Sequence, residues 1–161
     1  MTTSKIVIPE EYNTDALRQG YWGEQWVKHF YENSGKFWVH SNEDRFGSWD
    51  QTVISKKTGI SRLQQIKTIS RYVTKNYFGI TLGQRGDTYE AIQAADDLIF
   101  VVRTPPTFYD NLYEGHVLLV KNHRQYKQNK NQLIIPSYKE NFEKIGELTP
   151  SELNEVNQFN P

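Results

Sequence analysis

Leu98-Ile99-Phe100-Val101-Val102 is an unbroken apolar run in a chain that is only 37% hydrophobic. A strand that is apolar on both faces needs cover on both faces. The run therefore reads as the central strand of a layered sheet, from Asp97 to Arg103, stopped by Thr104-Pro105-Pro106. His116 to Lys121 repeats the pattern with Val117-Leu118-Leu119-Val120 and is expected beside it. The covering layers must draw on the aromatic residues, which make up 14% of the chain. A length of 161 residues fits one domain with a single sizeable core.

The remaining elements follow from periodicity and capping. Asp15 to Asn33 is an expected helix, capped by Asn13 or Thr14 and ended by Ser34-Gly35. At about 100° per residue, Leu17, Gly20, Tyr21, Glu24, Val27, Lys28 and Tyr31 share one side, with Trp22 and Trp26 nearly opposite. Glu24 stands in the middle of that mostly apolar stripe, where a carboxylate needs a partner. Asp87 to Ala95 is a second helix, with Asp87 and Glu90 spaced as a capping box. Thr149-Pro150-Ser151-Glu152 opens a third, ending near Gln158. Short strands are expected at Lys36–Ser41 and, as a strand or ordered loop, at Tyr77–Leu82. Leu133-Ile134-Ile135-Pro136 reads as an edge strand because of its proline. The fold class is α/β, a mixed sheet flanked by helices.

Between the first two helices lies a strand–turn–strand unit. Trp49 to Lys56 is rich in β-formers, Lys57-Thr58-Gly59 is a turn signal, and Arg62 to Ile69 carries the chain back. Antiparallel pairing about Thr58 sets Asp50 opposite Gln65 or Lys67. Gln65 and Lys67 are two apart and share a strand face. A carboxylate, an amide oxygen and an ammonium are thus expected at one spot, with Glu24 as a fourth member from the helix. The bland alternative is an aspartate at a hairpin entrance and the solvent face of an edge strand.

Charge is segregated although it sums to zero. No acidic residue occurs between Asp50 and Asp87, an interval holding Lys56, Lys57, Arg62, Lys67, Arg71, Lys75 and Arg85. None occurs between Glu114 and Glu140, where Lys121, Arg124, Lys127, Lys130 and Lys139 lie. Such blocks can build basic faces on a neutral protein. The segment His123–Gln132 is polar, basic and rich in amides. It reads either as a surface loop or as a DNA-contacting one, with Lys and Arg on phosphates and Gln and Asn on base edges. Other chemistries find no support. The chain has no cysteine, its four histidines are scattered without HExxH spacing, and no glycine-rich phosphate loop appears. No signal peptide or membrane span is read, and the absence of cysteine fits a cytoplasmic location.

Glu24 on the first helix, Asp50 opening a strand and Gln65-Ile66-Lys67-Thr68 on its hairpin partner resemble the PD-(D/E)xK nuclease superfamily. The acidic approach Asp44-Arg45-Phe46-Gly47-Ser48-Trp49-Asp50 is similar as well. Gln65 matches the variant in which glutamine replaces the second acid, found in methylated-DNA restriction proteins and in small intron-encoded bacterial homing endonucleases. The likeness spans roughly residues 15 to 103. Trp49 stands where the family places proline. The resemblance implies a restriction-endonuclease-like core and a sequence-specific double-stranded DNA endonuclease of homing or restriction type. It implies Mg²⁺, or Mn²⁺, held by Asp50, Gln65 and Glu24, with Lys67 completing a catalytic set of four. Lys56, Lys57, Arg62, Arg71, Lys75, Arg124, Lys127 and Lys130 would meet DNA. Two copies of the site, in a homodimer or homotetramer, would cut both strands. The alternative is a non-catalytic module with a degenerate nuclease fold, binding DNA or a protein.

Overall fold

The structure is a computed structural model that describes residues 5–42, 49–70, 76–82, 87–103 and 112–160. The expectations for Asp44 to Ser48, Arg71, Lys75 and Arg85 lie outside the described residues.

The elements run α1 (Asp15–Asn33), β1 (Phe37–Ser41), β2 (Gln51–Ser55), β3 (Ser61–Ser70), β4 (Tyr77–Thr81) and α2 (Asp87–Ala94). They continue with β5 (Asp97–Arg103), β6 (His116–Val120), β7 (Gln128–Asn129), β8 (Gln132–Pro136), β9 (Phe142–Glu147) and α3 (Pro150–Asn157). A six-stranded mixed sheet has the order β1-β2-β3-β5-β6-β9. β3 and β5 are parallel, and the other neighbours in it are antiparallel. A three-stranded sheet, β4-β8-β7, forms a second unit. The fold is α/β, as the alternation of elements predicts.

All seven residues of β5 are buried, because each face has its own core. Leu98, Phe100 and Val102 pack with Ile92 of α2 and with Phe78, Ile80, Leu133 and Ile135 of the small sheet. Ile99 and Val101 pack with Trp22, Trp26 and Val27 of α1 and with Val156 of α3. β8 is the middle strand of the small sheet rather than an edge. Pro136 is tolerated as its last residue, where one missing N–H ends the ladder. β9 is an edge strand whose Glu143, Lys144 and Glu147 hide any apolar alternation, so no strand is expected there from sequence.

α1 begins where predicted, with Thr14 Oγ1 accepting the Leu17 amide at 3.2 Å. Its buried face differs from the expected stripe. Trp22, Gly23, Trp26 and Val27 face the core. Each indole N–H finds a carboxylate on α3, Trp22 to Glu155 at 3.0 Å and Trp26 to Glu152 at 2.7 Å. That pairing makes the largest apolar surfaces of the helix buriable without an orphaned donor. The Leu17–Tyr21–Glu24–Lys28 side is left to line a cleft.

Gly23 sets how near α1 comes to the sheet. A Cβ there would lie 1.8 Å from Thr68 Oγ1 and 3.2 Å from Thr68 Cβ, both on β3. Threonine is stiff at χ1 and cannot swing clear cheaply. Gly23→Ala is expected to cost about 1–3 kcal/mol of unfolding free energy through overpacking, measured by denaturant melts. A variant as stable as the wild type would show that this close approach is not required.

Candidate active site

β2 and β3 pair as the turn signal predicts, with Gln51 opposite Gln64 and Ile54 opposite Ser61. Gly59, at φ 73°, provides the left-handed turn residue between them. The ladder ends one residue short of Asp50. The Asp50 amide donates to the Gln64 carbonyl at 2.9 Å, although Gln64 already stands opposite Gln51. Two residues of one strand therefore oppose one of the other, which is a β-bulge. Its effect is to turn Asp50 off the regular alternation and towards α1. Asp50 Oδ2 accepts the Ile66 amide at 2.6 Å, filling the donor that the interrupted ladder leaves open.

Glu24 meets Asp50 there in a side-chain hydrogen bond between two carboxyl groups. Both are half-buried. Burial above all, and then the neighbouring Asp50 charge and hydrogen bond, push Glu24 up to about 9, against the opposing charge of Lys67. Burial likewise raises Asp50, opposed by the Ile66 amide, by Glu24 and by Lys67. At neutral pH the metal-free pair therefore shares a proton, with Glu24 donating to the Asp50 carboxylate. The pair opens on a cleft of about 480 Å³ also lined by Tyr12, Tyr21, Lys28 and Asn42.

The structure thus brings Glu24, Asp50 and Lys67 within electrostatic reach of one another. Gln65 lies beside them in sequence register but keeps a distinct place. It is buried, and its Oε1 has no hydrogen-bond partner. An orphaned buried acceptor costs about 1–3 kcal/mol, so such atoms call for an explanation. Among the described residues no three His, Cys, Asp or Glu side chains gather as a metal site. A cation at the carboxyl pair would therefore need a neutral oxygen as its next protein ligand. Carboxyl and amide oxygens are hard donors of the kind that Mg²⁺ or Mn²⁺ takes, but Gln65 is not among the residues that line the cleft of Glu24 and Asp50.

The basic residues divide into two groups. Lys56 and Lys57 are exposed at the β2–β3 turn, with Lys56 Nζ 5.7 Å from the Trp38 ring centroid. Lys127 and Lys130 are exposed on the β7–β8 hairpin, where Lys130 takes φ 56° at the turn. Arg62 and Arg124 have internal duties instead. Arg62 clasps Asp97, through Nη2 at 2.8 Å and Nε at 3.1 Å. Arg124 donates to the Gln93 and Ala95 carbonyls at the end of α2, both at 2.8 Å. His123 is buried against the Ile92 and Ala95 carbonyls. The amide-rich segment is therefore a helix cap at 123–125 followed by an exposed ribbon at 127–132, not one continuous loop.

Sequence reasoning missed the buried polar residues behind the site. Gln51, Gln64 and Asp97 are each almost fully enclosed. Gln51 Nε2 donates to Gln64 Oε1 at 2.8 Å, and Gln64 Nε2 to Asp97 Oδ2 at 3.0 Å. The available signal was the same register that placed Asp50, because it also sets two glutamines opposite each other. No protein-family model matches the chain, and no curated protein matches it significantly in sequence.

Proposed function

We propose that the protein is a metal-dependent DNA endonuclease that hydrolyses phosphodiester bonds. The observation that carries this reading is the half-buried Glu24–Asp50 carboxyl pair within electrostatic reach of Lys67, with the orphaned Gln65 oxygen two residues before that lysine on β3. Asp50 and Gln65 would hold the cation, and Glu24, on losing its proton, would supply the negative charge that a second acid gives elsewhere. When bound, Mg²⁺ polarises the scissile phosphate and acidifies a coordinated water. The Ile66 amide keeps the Asp50 carboxylate aimed by occupying Oδ2. The Lys67 ammonium orients the attacking water and stabilises charge that builds on the phosphate oxygens. The water oxygen bonds to phosphorus as the P–O bond to the leaving sugar breaks, the water giving up a proton to solvent and the departing sugar oxygen taking one from it.

Lys56, Lys57, Lys127 and Lys130 are free to neutralise phosphates, which makes binding steeply salt-dependent. The exposed β7–β8 turn carries Gln128, Asn129, Asn131 and Gln132, whose amides supply donors and acceptors suited to base edges. This favours double-stranded DNA and a sequence-reading enzyme of homing or restriction type over one that reads shape alone. Cutting both strands takes two sites, hence a homodimer or homotetramer. No helix among the described residues is long and apolar enough to cross a membrane.

The test is cleavage of a panel of plasmids and genomic DNA with Mg²⁺ or Mn²⁺. Cleavage that Asp50→Ala abolishes is the expected result. Cleavage that survives this substitution, or none on any substrate with either metal, would sink the reading. DNA binding that persists without cleavage would point to the non-catalytic module.

A further inference from the structure

The amide relay behind the site fixes the polarity of Gln51. Asp97 faces the Arg62 guanidinium and can only accept. Gln64 must therefore present its NH₂ to Asp97, which it does at 3.0 Å. Its carbonyl oxygen is then turned to Gln51, which must present its own NH₂ in reply, at 2.8 Å. One orientation propagates from β5 through β3 to β2, and it leaves Gln51 Oε1 as the free end of the relay. That oxygen accepts no side-chain hydrogen bond among the described residues, and it is not among the sealed buried acceptors. Gln51 lines the same cleft as Glu24 and Asp50 and directly follows Asp50 in the bulge.

We propose that Gln51 is a further oxygen donor of the cation site, held carbonyl-first towards the cleft by the Arg62–Asp97–Gln64 relay. This rests on the metal-dependent reading above and extends it. A neutral amide can face either way at almost equal cost in water. Here the carboxylate at the far end forbids the flip, so the end of Gln51 left over for the cleft is its carbonyl oxygen and not its NH₂. It would act on the cation directly or through a coordinated water, adding a neutral ligand without adding to the repulsion between Glu24 and Asp50. The relay also explains why three polar side chains are buried at the strand ends that carry Asp50 and Gln65, where apolar residues would pack at lower cost.

The experiment is Mn²⁺ binding to the full chain, followed by electron paramagnetic resonance and calorimetry without DNA. Gln51→Met keeps the length of the side chain and removes its oxygen. It is expected to weaken Mn²⁺ binding about tenfold or more. Gln51→Glu, which retains an oxygen and adds charge, should bind Mn²⁺ more tightly than the wild type, and it carries the test if the methionine variant does not fold. A merely structural glutamine would shift the melting temperature and leave Mn²⁺ affinity where it was. Unchanged affinity in Gln51→Met, or equal or weaker affinity in Gln51→Glu, overturns the assignment while leaving the nuclease reading intact. Failure of the wild type itself to bind Mn²⁺ overturns both.

Discussion

Replacing Lys67 with alanine is expected to slow DNA cleavage by about 100- to 1000-fold while leaving Mn²⁺ affinity nearly unchanged. The reason is the division of labour at the site. In the proposed mechanism the carboxyl pair and the Gln65 oxygen would hold the cation, whereas an ammonium repels one and attracts the phosphate and its incoming water. Lys67 already acts on Glu24 and Asp50 through its charge, favouring their ionised forms. Its removal leaves the pair more protonated, which weakens cation binding, and also ends the ammonium's repulsion of the cation, which strengthens it, so the two effects oppose in the Mn²⁺ affinity. Lys67→Arg should restore little activity, because a planar guanidinium does not reproduce the compact ammonium. Single-turnover rates on a DNA that the wild type cuts, alongside Mn²⁺ titrations, check both halves. Wild-type cleavage by Lys67→Ala would remove the lysine from the mechanism.

The second large effect is on stability. Glu24 is held protonated in the folded, metal-free protein up to about pH 9, whereas in the unfolded chain it ionises in the ordinary carboxylate range. Between those limits the folded state binds more protons than the unfolded one. Stability must then fall as pH rises through that window, by up to about 1.4 kcal/mol per pH unit for each such carboxyl. Asp50 is shifted in the same direction and adds to the fall. Glu24→Gln retains a hydrogen-bond donor to Asp50 and cannot ionise. It should flatten the slope and exceed the wild type in stability near pH 8–9, at the cost of weaker cation binding. Saturating Mg²⁺ should act oppositely on the wild type, displacing the proton and stabilising by about 2.7 kcal/mol at a hundredfold excess over Kd. Urea melts from pH 5 to 9, with and without Mg²⁺, measure all of this. A wild-type stability that rises over this range without metal would contradict the shared proton.

Much of the frame is legible in the chain itself. The run from Leu98 to Val102 is apolar on both faces, so no other place in the sheet suits it. The limits of α1 follow from Thr14 and Ser34, and the start of α3 from the Thr149–Glu152 capping box. These signals are local, which is why they survive without knowledge of the fold. β7 and β9 are not legible in this way. β7 is two residues long, and β9 is largely charged and held by the β6 backbone, whose hydrogen bonds do not depend on side-chain type. The fates of Arg62 and Arg124 are equally hidden, because a basic residue in a basic block carries no mark of an internal partner dozens of residues away.

The candidate site divides along the same line. A two-residue period and a turn at Lys57-Thr58-Gly59 narrow the hairpin register to Asp50 opposite Gln65 or Lys67, and the fold takes Gln51 opposite Gln64. The chain also shows which groups are at hand: an acid on the helix, an acid at the strand start, an amide and a lysine two apart. How they meet depends on contacts between distant segments. The bulge at Asp50 and Gln51 breaks the alternation that register arithmetic assumes, and the missing Cβ of Gly23 lets α1 come close enough for Glu24 to reach across. Tertiary burial also gave the two acids a common proton, because a carboxyl's charge state depends on the water and charges around it, and those are set by packing rather than by neighbours in the chain.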